Sequence, residues 1–299
     1  MTWHTLKQQF STYLYLECSL SQATVTAYLQ DMSALEKFLH HHYTSMAPTE
    51  VKKEHLNKFF ILLHEQQIST NSRARMWSSI KSFYNFLWLE SFIKQDPTLL
   101  LERPKTTRKL PNTLEIHEVE KLLNAIDTTT WLGVRNRAIV ETMYGTGLRV
   151  SELTALKFSQ LYLEECFLRI IGKGNKERLM PLGALAVKWI KYYVQTFRSR
   201  IPIAYEHTNY VFLSRRGKQL GRHMIFTIIK KLGYQIGLKQ AIHPHTLRHA
   251  FATHLIEGGA DLRAVQEMLG HASITTTEIY THMDRQYLAQ TIQDYHPRS

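Results

Sequence analysis

Apolar positions in the first third of the chain recur at helical spacing. In "SLSQATVTAYLQDMSALEKFL", Val25, Tyr28, Leu29, Met32, Leu35, Phe38 and Leu39 follow steps of three and four and predict one buried helix face. Pro48 followed by Thr49-Glu50 predicts the start of another helix, with Phe59, Phe60 and Leu63 turned inward. In "SRARMWSSIKSFYNFLWLE" the pattern repeats through Met76, Ile80, Phe83, Tyr84 and Leu87. Residues 1–101 are therefore expected to form an all-helical domain.

The pattern breaks at residues 102–114, "ERPKTTRKLPNTL", which hold two prolines, four basic residues and little apolar content. This composition reads as an interdomain linker, which would let two lobes close around a polyanion. From 115 to 299 the pattern is mixed. "EIHEVEKLLNAI" is helical, and "VRNRAIVETMYGTGLRVSELTAL" reads as a helix, a Gly-Thr-Gly break and a second short helix. "CFLRIIGKGNKERLMPL" reads as a strand, a Gly-Asn turn and a returning strand. "NYVFLS" followed by "RRGKQL" suggests another short strand and turn, and helices dominate again from 221. The expected fold class is mainly α with a small antiparallel β-sheet, in two domains.

Charge narrows the partners. The 299 residues carry a formal net charge of +12, and 44% hydrophobic content supports real cores. Residues 1–103 hold ten basic and nine acidic side chains, so nearly all the excess lies in the remainder. Such asymmetry points to a polyanion, nucleic acid first, ahead of an anionic membrane or an acidic protein. Arg73, Arg75 and Lys81 in the N-terminal region, Lys105 and Arg108 in the linker, and Lys176 and Arg178 around the hairpin are candidate DNA contacts. Solvent exposure is the plain alternative for each. The two cysteines, Cys18 and Cys166, form no CxxC pair, so neither a disulfide framework nor a cysteine zinc site is expected. "MTWHTLKQQF" does not read as a signal peptide. No apolar run approaches the roughly 20 residues of a membrane span. A soluble, cytoplasmic protein without membrane attachment is the expectation.

The densest chemistry lies in "HPHTLRH", residues 243–249. His245 and His249 share a helix face as in the HExxH zinc pattern, but the glutamate position is Thr246. Arg248 sits on the same face, and a guanidinium belongs beside an anion rather than a metal cation. Metal is therefore set aside. Pro244 suits a helix start, so His245 and Arg248 would project from the first turn toward one phosphate. His249 and His254, further along, read as packing residues. Arg149 follows the glycines of "YGTGLRVSEL", with Glu152 one turn on and able to orient it. No GxGxxG or GxxxxGK[ST] is present, so this is not a nucleotide loop. Lys173 lies at the hairpin tip, where a basic turn is the equal alternative. His271 follows a glycine that ends a helix. Tyr280 reads as core or as a nucleophile, the latter only beside an anion site.

Taken together, Arg149, Lys173, His245, Arg248, His271 and Tyr280 resemble, in order and approximate spacing, the tyrosine recombinase (phage integrase) family over essentially the whole chain. The length and the block "LRHAFATHLIEGGADLRAVQEMLGHASITTTEIYTH" resemble its bacterial Xer branch. The resemblance implies a DNA recombinase acting through a 3′-phosphotyrosyl intermediate on Tyr280. Arg149, Arg248 and His245 would hold the phosphate, Lys173 would protonate the leaving 5′-oxygen and His271 would add a hydrogen bond. Glu152 would support Arg149 or His245. It implies no cofactor, neither ATP nor metal. It also implies double-stranded DNA with a dif-like site, a partner Xer recombinase in a tetrameric synaptic complex, and an FtsK-type DNA translocase as activator. Leu288 and Ile292 give a short amphipathic tail, which in this family docks on a neighbouring subunit; packing on its own domain is the alternative. A mobile-element integrase with the same chemistry and a non-catalytic DNA-binding relative stay open.

Overall fold

The computed structural model describes residues 1–18, 20–43, 46–104, 113–172, 177–270 and 282–299, except for the side chains of 282–285. The chain separates into two compact units, Met1–Leu110 and Pro111–Ser299.

The first unit holds α1 (Trp3–Leu16), α2 (Gln22–His42), α3 (Lys53–Glu65) and α4 (Thr70–Leu89). Side-chain oxygens of Thr2, Ser21 and Ser69 cap α1, α2 and α4 by accepting from backbone N–H groups left free at a helix start. The helical faces close on an aromatic core in which Phe83 stacks on Trp3 and meets the ring of Phe10 edge-on. Pro48–Glu50 forms only a single 3₁₀ turn, and α3 starts at Lys53 rather than at Thr49. The proline fixes a turn, but the apolar face it was expected to open begins later, at Leu56.

The second unit begins with α5 (Ile116–Asn124), α6 (Trp131–Thr146) and α7 (Val150–Thr154). The sheet follows, in the order β1 (Leu161–Tyr162), β2 (Phe167–Ile171) and β3 (Glu177–Pro181), all antiparallel. Then come α8 (Ala184–Tyr192), α9 (Arg222–Gln235), α10 (Pro244–Gly258), α11 (Leu262–Leu269) and α12 (His282–Tyr295). The expected hairpin is β2 with β3; the turn between them, at 173–176, lies outside the described residues. Leu168 pairs with Met180 and Ile170 with Arg178, and all four side chains are buried. The "NYVFLS" strand does not form: the segment makes only isolated bridges, Lys157 to Tyr210 and Leu213 to Gln219. Val211, Phe212 and Leu213 are nevertheless buried, so the apolar run reports burial rather than sheet pairing.

Two turns set the site. Helix α6 runs through Gly145 and stops at Gly147, which takes the left-handed conformation at φ +60°. The break is thus one glycine, not the Gly-Thr-Gly segment. A β-carbon there would lie 2.4 Å from the Phe251 ring on α10, so backbone conformation and helix approach both require glycine. Helix α11 ends the same way at Gly270, φ +64°. Leu288 and Ile292 of α12 join the core of this same unit, against α10, α11 and β3.

Candidate active site

Three arginines from three elements meet at the C-terminal end of α11. Arg149, at the start of α7, donates Nη2 to the Gly270 carbonyl at 3.3 Å. Arg248, from the first turns of α10, donates Nη2 to the Leu269 carbonyl and Nη1 to the Gly147 carbonyl, both at 2.7 Å. Arg178, from β3, donates Nε to the Met268 carbonyl at 2.9 Å. Carbonyls at a helix C-terminus lack intrahelical partners and carry the negative end of the dipole, so cations gather there. Three consecutive carbonyls each receive a different arginine.

Glu152 joins two of them. Its carboxylate accepts the Arg178 fork at 3.0 and 2.9 Å, the Arg149 Nη1 at 3.1 Å and the Arg149 backbone N–H at 2.8 Å. Burial pushes this carboxyl upward; the hydrogen bonds and charge of Arg178, then those of Arg149, outweigh it and hold Glu152 below its usual range. Arg248 is pulled down to about 10, by burial first and then by repulsion from Arg149 and Arg178, with Glu152 opposing. It therefore stays charged at neutral pH. The Arg149 side chain is 43% exposed, whereas Glu152 is buried. Arg149 is thus partly open to solvent while held by Glu152 and the Gly270 carbonyl.

His245 lies exposed in the first turn of α10, whose N-terminus is set by His243 and Pro244. His254 is buried and hydrogen-bonded through Nδ1 to the Tyr144 hydroxyl at 2.7 Å, a packing role as expected. Beside Arg149, an open cavity of about 770 Å³ is lined by Glu152, Lys157, Gln160 and Arg169 among others. Among the described residues no cluster of metal-ligating side chains occurs. Among them, too, no helix is long and apolar enough to cross a membrane.

The structure thus joins Arg149, Glu152 and Arg248. Lys173, His271 and Tyr280 lie outside the described residues, as do Lys105, Arg108 and Lys176. Arg178 corrects the expectation that it contacts DNA. Residues alternate across a strand, and Arg178 shares the inward face with Met180. It is 6% exposed, and each of its three nitrogens donates to Glu152 or Met268. That alternation was readable in "KERLMPL", but a charged residue argues for the outside, and the carboxylate that balances it lies 26 positions away. In the first unit, Arg75 pairs with the buried Asp31 at 2.5 Å, a bond that Ser79 supports by donating to the same oxygen at 2.8 Å. Lys81 lies over the Trp77 ring, and Arg73 donates to the Thr70 hydroxyl.

An arginine pair backed by a buried carboxylate, on a mainly helical unit with a small antiparallel sheet, is suited to holding a phosphate group. Residues 112–287 match the phage integrase family, and residues 8–91 match the N-terminal SAM-like domain of phage integrases. The chain belongs to that family and is a site-specific tyrosine recombinase. It is 39% identical to the tyrosine recombinase XerD of Staphylococcus saprophyticus, covering 99% of both chains. It is 40% identical to the XerD of Chlorobaculum tepidum, covering 99% of this chain and 97% of that one. The fold resembles the XerH site-specific recombinase bound to a palindromic difH substrate in a post-cleavage complex. The TM-score there is 0.69 and the identity 23%, over 95% of this chain and 94% of that one.

Proposed function

We propose that this recombinase resolves chromosome dimers at a dif-like site. In this reading residues 1–101 are the core-binding domain, 102–114 the linker and 115–299 the catalytic domain. Tyr280 attacks the scissile phosphorus through its hydroxyl oxygen; the phosphorus–O5′ bond breaks and a 3′-phosphotyrosyl link forms. Lys173 gives a proton to the departing 5′-oxygen, and His245 accepts the one lost by Tyr280. Arg149 and Arg248 take the non-bridging oxygens and balance the charge that grows there, with His271 adding a donor. A 5′-hydroxyl from the partner duplex then reverses the step, so the bond energy is conserved in the covalent link.

The observation that carries this reading is the meeting of Arg149 and Arg248 at one helix end, with Glu152 behind them. The XerD relatives support the Xer assignment; in this reading the protein acts on the chromosome in the cytoplasm, with a second Xer recombinase completing a tetramer on two duplexes and an FtsK-type translocase as activator. The test is a nicked suicide duplex bearing the dif-like sequence of the source chromosome. Wild type is expected to form a covalent adduct; Tyr280→Phe is expected to bind the duplex equally and form none. Adduct persisting in Tyr280→Phe refutes the assignment.

A further inference from the structure

Glu152 poses an electrostatic problem for the site it supports. A carboxylate within hydrogen-bond distance of Arg149 is itself an anion in the place where a phosphate must be held. If its charge were answered only by Arg149, that guanidinium would have little left for DNA. The geometry shows which arginine answers it. Arg178 closes a two-bond fork on both oxygens, with side-chain exposures of 7% and 6% for the two partners. Arg149 reaches the same carboxylate through one side-chain bond from a position 43% exposed. Buried forks are strong and exposed contacts weak, because water screens the latter. The Met268 carbonyl holds the Arg178 Nε, so the fork stays aimed at Glu152.

We propose that Arg178 is a positioning residue for strand cleavage, which neutralises Glu152 so that Arg149 and Arg248 keep their positive charges for the scissile phosphate. The inference rests on the reading of those two arginines given above. Within this set of four side chains, Arg178 and Glu152 form a neutral buried pair, and two positive charges remain. A phosphodiester carries one negative charge, and more develops on its oxygens as the tyrosine attacks. Glu152 is held below its usual range and is ionised at neutral pH, so the need for a neutralising partner is permanent. Without Arg178, Arg149 is the cation still hydrogen-bonded to the carboxylate among the described residues, and the carboxylate turns onto it.

The discriminating experiment is single-turnover adduct formation on the nicked dif-like duplex at saturating full-length protein, with duplex affinity and thermal melting measured alongside. Arg178→Met is expected to slow adduct formation by ~100-fold, the scale of losing one preorganised charge-stabilising group, with affinity nearly unchanged. Adding Glu152→Gln removes the orphaned charge, and the double variant is expected to recover to within ~10-fold of wild type. A merely structural Arg178 predicts the reverse, since the double variant lacks the fork just as the single one does. Arg178→Lys keeps the neutralising charge without the fork and is expected within ~10-fold of wild type, which serves if Arg178→Met does not fold. The proposal is overturned if folded Arg178→Met cleaves at the wild-type rate. It is also overturned if the double variant is no faster than the single one, or if folded Arg178→Lys is as slow as ~100-fold below wild type. Arg149→Ala and Tyr280→Phe run in parallel. Wild-type adduct from either would sink the reading of the site itself, whatever Arg178 does.

Discussion

Arg298 closes a two-point bridge on Glu141, Nε to Oε2 at 2.9 Å and Nη2 to Oε1 at 2.7 Å. The bridge ties the penultimate residue to the middle of α6, and Glu141 is buried with Arg137 as its second partner at 3.0 Å. The backbone follows closely: a β-carbon on Gly183 would lie 2.7 Å from the Arg298 carbonyl oxygen. Removing Arg298 leaves the buried Glu141 with Arg137 alone among the described residues, and a buried charge that loses part of its compensation is destabilising. Arg298→Ala is therefore expected to lower unfolding free energy by about 2 kcal/mol, read from a urea midpoint. Glu141→Gln with Arg298→Ala is expected to lose less than the sum of the two single variants. Additive losses would mean that the bridge contributes nothing of its own.

His296, two residues before, makes the same tail sensitive to pH. It is buried between the rings of Tyr144 and Phe251. Burial chiefly, with smaller pushes from His254 and Arg298 against a backbone hydrogen bond, moves it from 6.5 to about 4. The unfolded chain therefore takes up the proton first as pH falls. Stability contributed by neutral His296 is complete above pH 6.5 and is lost between 6.5 and about 4. The total at stake is about 3 kcal/mol. Urea midpoints at pH 7.5 and pH 5 are expected to differ in wild type and to differ less in His296→Phe. An equal difference in both would place the dependence on other groups.

How much of this was legible from the residues depends on the range of the interaction. Helical faces such as Val25–Leu39 and the β2–β3 hairpin depend on neighbours a few positions away, so periodicity shows them. The pairing of Arg149 with Glu152 is likewise one helical turn apart. Arg178 was misread because its identity and its strand position disagree, and only the distant Glu152 resolves the conflict. "NYVFLS" was misread because a short buried run looks alike in a strand and in an extended loop. The sharing of α11's last carbonyls among Arg149, Arg178 and Arg248 spans about two thirds of the second unit and has no local signal.

Gly147 tests whether the helix crossing serves the site. It ends α6 at φ +60° against Phe251, and its carbonyl accepts from Arg248 Nη1 at 2.7 Å. Gly147→Ala adds both backbone strain and a clash with a fully buried ring. A loss of about 2–3 kcal/mol is expected, about 1 from the left-handed conformation and the rest from overpacking. Because the displaced carbonyl orients Arg248, adduct formation is expected to fall more than the folded fraction does. The check is adduct yield per folded molecule, with folded fraction taken from circular dichroism at the assay temperature. A yield per folded molecule equal to wild type would show that Gly147 serves the fold alone.

Arg248 itself separates charge from geometry. Its guanidinium spans two carbonyls, of Gly147 and Leu269, that belong to different elements. A planar fork can satisfy both while presenting a further edge to a phosphate; a lysine ammonium is a point donor on a shorter reach. Arg248→Lys keeps the charge but strands at least one buried carbonyl, at about 1–3 kcal/mol. Duplex affinity is expected to fall only a few-fold, since bulk charge governs it. Single-turnover cleavage is expected to fall by ~100-fold, since oriented donors govern the transition state. Gel shift and adduct formation on the same nicked duplex measure the two effects separately. If both fall in proportion, Arg248 acts as a simple binding cation, and its anchoring on the end of α11 is incidental to cleavage.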